Sequence, residues 1–185
     1  MQDPNPFLGS LLILLGALGV LAGLVLLRFP AALRAGLAAF PRSKWPGGIL
    51  TAFCVFWVSW VIRHAALGRF EVVKPLIPVL AVVGFGAIVW FLDELLAPRA
   101  LGGLLLLLAN PMLNGVRWSD SAWRFAVVLI AYAWVVAGCI LMLHPWWFRR
   151  MAGKFMASAG WLRAAGWGKL LAGAIRMAAG LWHLR

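Results

Sequence analysis

The sequence predicts an all-α integral membrane protein with about five transmembrane helices plus amphipathic helices at the cytoplasmic face. Of its 185 residues, 64% are hydrophobic and only 12% are charged, against roughly 45–50% and about 25% in soluble domains. The apolar residues also gather into long runs that hold very few charges. Runs of this kind are what a helix needs in order to cross the hydrocarbon core of a bilayer.

Five apolar runs are the candidate spans, at residues 7–27, 45–62, 75–96, 100–116 and 125–143. The first holds 21 residues without a charge, and as a helix it measures about 31 Å, enough to cross the hydrocarbon core. Because basic residues follow this run rather than precede it, we expect a retained helix and not a signal peptide. The fourth run is short, so a re-entrant hairpin is the alternative to a complete crossing there.

The distribution of basic residues predicts the orientation of these spans. Cytoplasmic loops carry an excess of Lys and Arg. Four such residues follow the first run without an acid among them: Arg28, Arg34, Arg42 and Lys44. Placing that loop inside puts the N-terminus outside, and five crossings then leave the basic C-terminal segment inside. Four crossings would leave that segment outside, so we predict five, in what we expect to be a bacterial cytoplasmic (inner) membrane.

The strong positive charge indicates membrane lipids as partners. The chain has 17 Lys and Arg against 5 Asp and Glu, a balance that would ordinarily suggest nucleic-acid binding. Here the cations flank apolar runs, which is where topology signals and contacts to anionic lipids occur. We therefore expect anionic lipids and other membrane protein subunits as partners, and no nucleic acid.

Residues 146–185, which we call the tail, are predicted to be a basic amphipathic segment separate from a transmembrane bundle of residues 1–145. The second half of the tail carries an apolar helical face opposite a stripe formed by Lys169, Arg176 and His183. A sixth span here would bury Lys169 and Arg176, each at a cost of about 2.5–3.5 kcal/mol near the bilayer centre. We therefore expect the tail to lie in the membrane surface, as two helices divided by Gly160, Gly166 and Gly168. Its expected lipid-surface contacts are Arg149, Arg150, Lys154, Arg163, Lys169 and Arg176.

Gly19 and Gly23 form a pair of small residues one helical turn apart in the first run. Small residues at this spacing let the backbone of a second membrane helix approach closely. The pair is therefore a candidate helix-packing surface, although the spacing is common by chance.

Asp93 and Glu94 are the acids nearest to apolar sequence, at the end of the third run. Acids within a membrane often mark proton or cation pathways, but such a relay needs further ionisable residues deeper in the bundle. We interpret the two as an interfacial acid pair that meets Arg99 or a basic loop.

His64 and His144 are the histidines closest to the spans, and a haem bound by both would need them at similar depth. In the predicted topology His64 ends the second span outside and His144 ends the fifth span inside, about 30 Å apart. They cannot then share an iron. No cofactor or metal is predicted within this chain, and a cofactor shared with a partner stays open.

Asn110, Pro111 and Asn114 interrupt the apolar fourth run. Proline removes a backbone donor from a helix, and the asparagine side chains can complete the hydrogen bonds it leaves unmade. Broken helices of this kind line the binding sites of transporters. The three residues are therefore a candidate solute site, with a simple helix break or kink as the alternative.

The sequence contains no recognisable catalytic or cofactor motif that would select one function. Three functions are compatible with the features described above. The leading hypothesis is a non-catalytic membrane subunit that docks in, or scaffolds, a larger membrane protein complex. The alternative is a small transporter or channel with its site at Asn110, Pro111 and Asn114. The third is a redox-associated subunit that binds quinone, haem or pigment at an interface with a partner.

Overall fold

The computed structural model describes residues 6–92 and 95–184, and every regular element in these ranges is helical. Three long helices of the N-terminal half are joined by short connecting helices. The elements are α1 (Pro6–Arg28), α2 (Pro30–Ala39), a 3₁₀ helix (Phe40–Arg42), α3 (Lys44–His64), a second 3₁₀ helix (Gly68–Leu76), α4 (Ile77–Phe91), α5 (Leu96–Val116), α6 (Trp123–Leu143), α7 (Trp146–Ala157) and α8 (Ala159–His183).

Five helical segments are long and apolar enough to cross a membrane: Pro6–Arg28, Lys44–His64, Glu71–Phe91, Leu96–Val116 and Trp123–Leu143. Each coincides with one of the five predicted runs to within a few residues. The prediction of an all-α membrane protein with about five transmembrane helices is therefore confirmed.

The junction between α4 and α5 lies earlier in the chain than the predicted boundary. Helix α4 ends at Phe91 and α5 begins at Leu96, whereas the sequence suggested a third span extending to residue 96. Helix α5 includes Pro98 in its first turn, where proline costs no intrahelical hydrogen bond. Leu95, just before α5, has a positive φ of 59°, a left-handed conformation that does not continue a helix. Asp93 and Glu94 lie outside the described residues.

Helix α5 runs without a break through the polar interruption. Its 21 residues include Pro111 inside the helix, so the proline removes one backbone donor without ending the element. At about 1.5 Å per residue the helix measures roughly 31 Å, the thickness of the hydrocarbon core. A re-entrant hairpin needs a turn within the run, so a complete crossing is the conformation that α5 supports.

The chain packs as two compact units, whose boundaries fall within α2, α5, α6 and α7. The first contains residues 6–38, 108–135 and 150–184, and the second contains residues 39–107 and 136–149. The core of the first unit is built by apolar residues of α1, α5, α6 and α8. Its buried members are Leu8, Leu12, Leu15, Ala109, Met112, Val116, Val127, Ala131 and Ala179.

Within the first unit, α8 lies antiparallel against α1 along a row of glycines that we call the glycine seam. It consists of Gly9, Gly16 and Gly23 on α1 and Gly180, Gly173 and Gly166 on α8, seven residues apart in each helix. A Cβ placed on Gly16 would lie 2.7 Å from the Gly173 carbonyl oxygen, and one on Gly173 would lie 2.7 Å from that of Gly16. The two backbones are therefore in direct contact, which only glycine permits.

This packing differs from the predicted tail in two ways. Helix α8 belongs to the same compact unit as α1, whereas the sequence suggested a segment separate from the bundle. The division of the tail falls at Ser158, whose hydroxyl accepts a hydrogen bond from the Trp161 amide at 3.4 Å. Gly166 lies inside α8 instead of dividing the tail, because it is needed against α1.

Within the second unit, close backbone contacts again occur where glycines meet. Gly102 of α5 and Gly138 of α6 face each other, and a Cβ on either would lie 2.8 Å from the carbonyl oxygen of the other. Gly47 of α3 contacts α5, where a Cβ would lie 2.9 Å from the Ala97 amide nitrogen. Helix α4 packs chiefly on α3 and buries only Ile77, so one side of this unit is loosely packed.

Replacing Gly173 by Ala is expected to destabilise the protein by about 1–3 kcal/mol, the usual cost of overpacking. The new methyl group would press on the Gly16 carbonyl oxygen, and a backbone atom cannot move aside as a flexible side chain can. The measurement is loss of helical circular dichroism during titration of detergent-solubilised protein with sodium dodecyl sulfate.

Gly168 provides the matched control for this substitution, because it lies on the same helix and a methyl group added there would have nothing within 4 Å. Gly168→Ala is expected to leave stability unchanged or to raise it by up to about 1 kcal/mol through helix propensity. Equal stability of the two alanine variants would contradict the close contact at the seam.

Candidate functional site

An apolar cleft with a volume of about 660 Å³ lies in the second unit, between α3, α4 and α5. This volume is in the range of ligand sites, roughly 300–1,000 Å³. Apolar side chains and glycines form nearly all of its wall, and small residues occur on each of the three helices. Its lining includes Cys54, Val55, Val58, Ser59 and Ile62 of α3, Ile77, Leu80, Ala81, Gly84 and Ile88 of α4, and Gly103, Leu106 and Leu107 of α5.

The two polar side chains in the cleft are both engaged with backbone. The Cys54 thiol lies 3.6 Å from the Ala100 carbonyl oxygen, and the Ser59 hydroxyl donates to the Val55 carbonyl at 2.7 Å. Their polar hydrogens are therefore directed at the protein and not at an occupant of the cleft. The cleft can hold an apolar group, and it offers no arrangement of groups for acid–base or nucleophilic chemistry.

The second unit also has a recess of about 360 Å³ lined by basic residues, which we call the basic recess. Arg42, Lys44 and Arg149 contribute to it, together with Pro41, Ser43, Leu95 and Leu96. Arg149 was predicted as a lipid contact, and here it lines the same recess as the residues where α3 begins. The predicted acid pair of Asp93 and Glu94 directly precedes Leu95 in the sequence but lies outside the described residues.

Asn110 and Asn114 bond to each other along α5 and not to a second helix. The Asn114 amide nitrogen donates to the Asn110 side-chain oxygen at 3.1 Å, and both residues are exposed. Pro111 lies between them and is exposed as well. The structure thus brings the three predicted residues onto one accessible turn of a continuous helix.

The two histidines near the spans lie at opposite ends of the second unit. His64 ends α3, where its ring stacks 4.3 Å from that of Trp60. His144 follows α6 five residues before Arg149, which lines the basic recess at the beginning of α3. Because α3 has 21 residues, its two ends are about 30 Å apart. The histidines therefore cannot bind one iron within this chain.

The remaining predicted basic residues lie on α7 and α8 of the first unit. The side chains of Arg150, Lys154, Arg163 and Lys169 are exposed, whereas Arg176 is half-buried. The Arg176 Nε donates to the Ala172 carbonyl at 2.8 Å, which folds the side chain back along α8. This residue is therefore held against its own helix instead of extending freely.

Gly19 and Gly23, the predicted packing pair, both lie against α8. A Cβ on Gly23 would lie 2.8 Å from the Gly166 carbonyl oxygen, and one on Gly19 would lie 3.5 Å from a terminal nitrogen of Arg176. Gly19 thus leaves space for the guanidinium, while Gly23 belongs to the seam itself.

Sequence reasoning did not predict the apolar cleft. Of the six seam glycines it identified only Gly23 as a helix-packing residue, and it did not predict the contact between α1 and α8. The seam carries a readable signal, because glycines recur at exact intervals of seven residues in two separate helices. The cleft carries none, since its lining is ordinary apolar sequence that several helices bring together.

Comparison of the chain with protein-family models, with curated proteins and with solved structures finds no match. The function is therefore inferred from the geometry of the chain alone.

Replacing Asn110 and Asn114 together by Ala tests whether this turn of α5 is a solute site. The pair makes one hydrogen bond with itself, and a hydrogen bond in a membrane helix bundle averages about 0.6 kcal/mol. We expect a modest loss of stability and no flux of ions or small solutes in proteoliposomes, before or after the change. Flux through the wild type that the folded double variant lacks would identify a transporter instead.

Proposed function

We propose that the protein is a non-catalytic membrane subunit that docks an apolar helix of a partner membrane protein in the cleft between α3, α4 and α5. The observation that carries this proposal is the cleft itself, an apolar cavity of about 660 Å³ beside α4, a helix that buries only Ile77. Its polar groups are already bonded to backbone, so it is suited to packing and not to chemistry.

The small residues on the cleft walls favour a helix as the occupant. Gly84 has nothing within 4 Å of a Cβ, and a Cβ on Gly103 would meet only the Cys54 sulfur, at 3.9 Å. In membranes, helices associate through close van der Waals packing at small residues. Glycine within a helix costs about 1 kcal/mol relative to Ala, and an approaching partner backbone offsets that cost.

The loose attachment of α4 gives a second support. Most of its side chains are exposed and only Ile77 is buried. Trp90 and Phe91, at its end, are each more than 80% exposed. Large exposed apolar surfaces mark contacts with lipid or with another protein. A partner helix in the cleft would cover one side of α4 and leave the other to lipid.

Gly84→Leu is expected to abolish the partner complex, because the new side chain would occupy the cleft. The wild type, purified in mild detergent from the membranes of the cells that make it, should have a heteromeric native mass. The variant should have the mass of this chain alone, with unchanged helical circular dichroism.

Gly86→Leu is the matched control for this experiment. Gly86 lies on the same helix, also has nothing within 4 Å of a Cβ, and does not line the cleft. It should retain the heteromeric mass. A wild type that is monomeric or homomeric would sink the proposal, and a co-purifying chromophore seen by absorbance would identify the redox-associated function instead.

A further inference from the structure

The glycine seam aligns α8 with α1, which contains a run of 21 residues without a charge. The three glycine pairs extend from Gly9 to Gly23 of α1, which is fourteen steps along the helix, or about 21 Å at 1.5 Å per residue. This is roughly two thirds of the ~30 Å hydrocarbon core. Two helices in contact over that length share nearly the same tilt, so where α1 crosses the membrane α8 also lies within it.

The outer face of α8 has the pattern of a membrane-spanning helix. Leu171 and Ile175 are exposed in its central part, with Trp161 exposed near one end and Trp182 near the other, while Trp167 is exposed about one turn before Leu171. Tryptophan collects at the two interfaces of a bilayer, on either side of an aliphatic band. Helix α8, with 25 residues, is long enough to cross.

Two cations of α8 then lie near the middle of the membrane. The charge-free run of α1 is centred close to residue 17, and Gly19 contacts the Arg176 guanidinium, which is therefore within about 3 Å of mid-depth along the axis. The hydrogen bond from Nε to the Ala172 carbonyl fixes it there. Lys169 lies seven residues earlier, on the same side of α8.

The described part of the chain supplies no counter-charge for these cations. Its two acids are Glu71, which pairs with Lys74 at 2.7 Å, and Asp120, in the loop between α5 and α6. Neither Lys169 nor Arg176 has an ion-pair partner among the described residues. Cations within a membrane normally pair with an opposite charge or face a polar cavity.

We propose that α8 is a sixth membrane-embedded helix whose Lys169 and Arg176 bind a carboxylate near the centre of a partner's transmembrane helix. The positive charge of the two side chains favours an acidic partner. Their depth in the membrane favours a protein carboxylate over a lipid phosphate. Lipid phosphates lie at the edge of the ~30 Å core, on the order of 12 Å or more from the Arg176 guanidinium. A carboxylate on a spanning helix reaches this depth without leaving its own helix.

This inference deepens the proposed docking function and rests on it, but it concerns α8 and not the cleft. If the partner complex depends on Gly84 but not on the α8 cations, the proposed function stands and the inference about α8 is refuted. The two claims therefore fail separately.

The test uses the full chain in phosphatidylcholine vesicles and a synthetic transmembrane peptide of Leu and Ala with one central Asp. The matched peptide carries Asn at that position. Energy transfer from the protein's tryptophans to a dansyl group on the peptide measures association. The Asp peptide is expected to bind at least tenfold more tightly than the Asn peptide.

Substitution of the cations assigns this preference to α8. Lys169→Gln together with Arg176→Gln should abolish the preference for Asp, whereas Arg149→Gln together with Arg150→Gln removes the same charge and should retain it. Equal binding of the two peptides by the wild type, or a preference that survives the first pair, would overturn the proposal. A preference that disappears when phosphatidylglycerol is added would assign the cations to anionic lipid and would also overturn it.

Labelling of cysteines tests the placement of α8 independently of any ligand. In a chain with Cys54 and Cys139 replaced by Ala, new cysteines are placed at Pro6 and Leu184, near the paired ends of the two helices. Because α8 is antiparallel to α1, an impermeant maleimide should label both from the same side of intact vesicles. Labelling from opposite sides would place α8 outside the membrane and refute the sixth span.

Discussion

Backbone-to-backbone contact between α1 and α8 is the constraint on which the first unit depends. Glycines at seven-residue intervals bring the two helices closer than any side chain allows, and this fixes both their antiparallel direction and their register. Helix α1 then presents Leu8, Leu12 and Leu15 to the core that it shares with α5 and α6. Helix α1 thus packs on α8 through glycines and on α5 and α6 through leucines. In lipid the hydrophobic effect does not drive helices together, so close packing must supply the attraction.

The second unit combines close glycine contacts with an open apolar cleft. Its glycine contacts hold α5 against α6 and α3 against α5, while α4 stays attached mainly through α3 and leaves the apolar cleft open. The chain therefore contains one closely packed unit and one with an open cleft. The first is held together by direct backbone contact, and the second leaves an apolar cleft in which a partner of the proposed kind would gain dispersion energy.

The sequence predicts the spans well, because a helix that crosses lipid must satisfy its backbone internally and be apolar along its length. It is less informative where one residue has two roles. Gly166 was interpreted as a point of division because glycine weakens helices, yet contact with α1 outweighs that cost. Asn110, Pro111 and Asn114 suggested a break, yet the helix tolerates one missing donor. The pairing of Gly16 with Gly173 joins distant parts of the chain. The one sequence feature that indicates it is the seven-residue spacing of glycines in both helices.

The separation of the two seam helices along the chain also bears on biosynthesis. About 150 residues are added between Gly16 and Gly173, which at 5–20 residues per second takes on the order of 10–30 s. During that interval α1 is already made and its glycine face has no α8 from its own molecule to contact. The α8 of a neighbouring molecule offers the same geometry, so exchange of this helix between molecules is the characteristic misassembly to which the fold is exposed. Rapid synthesis and dilute insertion favour the correct pairing within one chain.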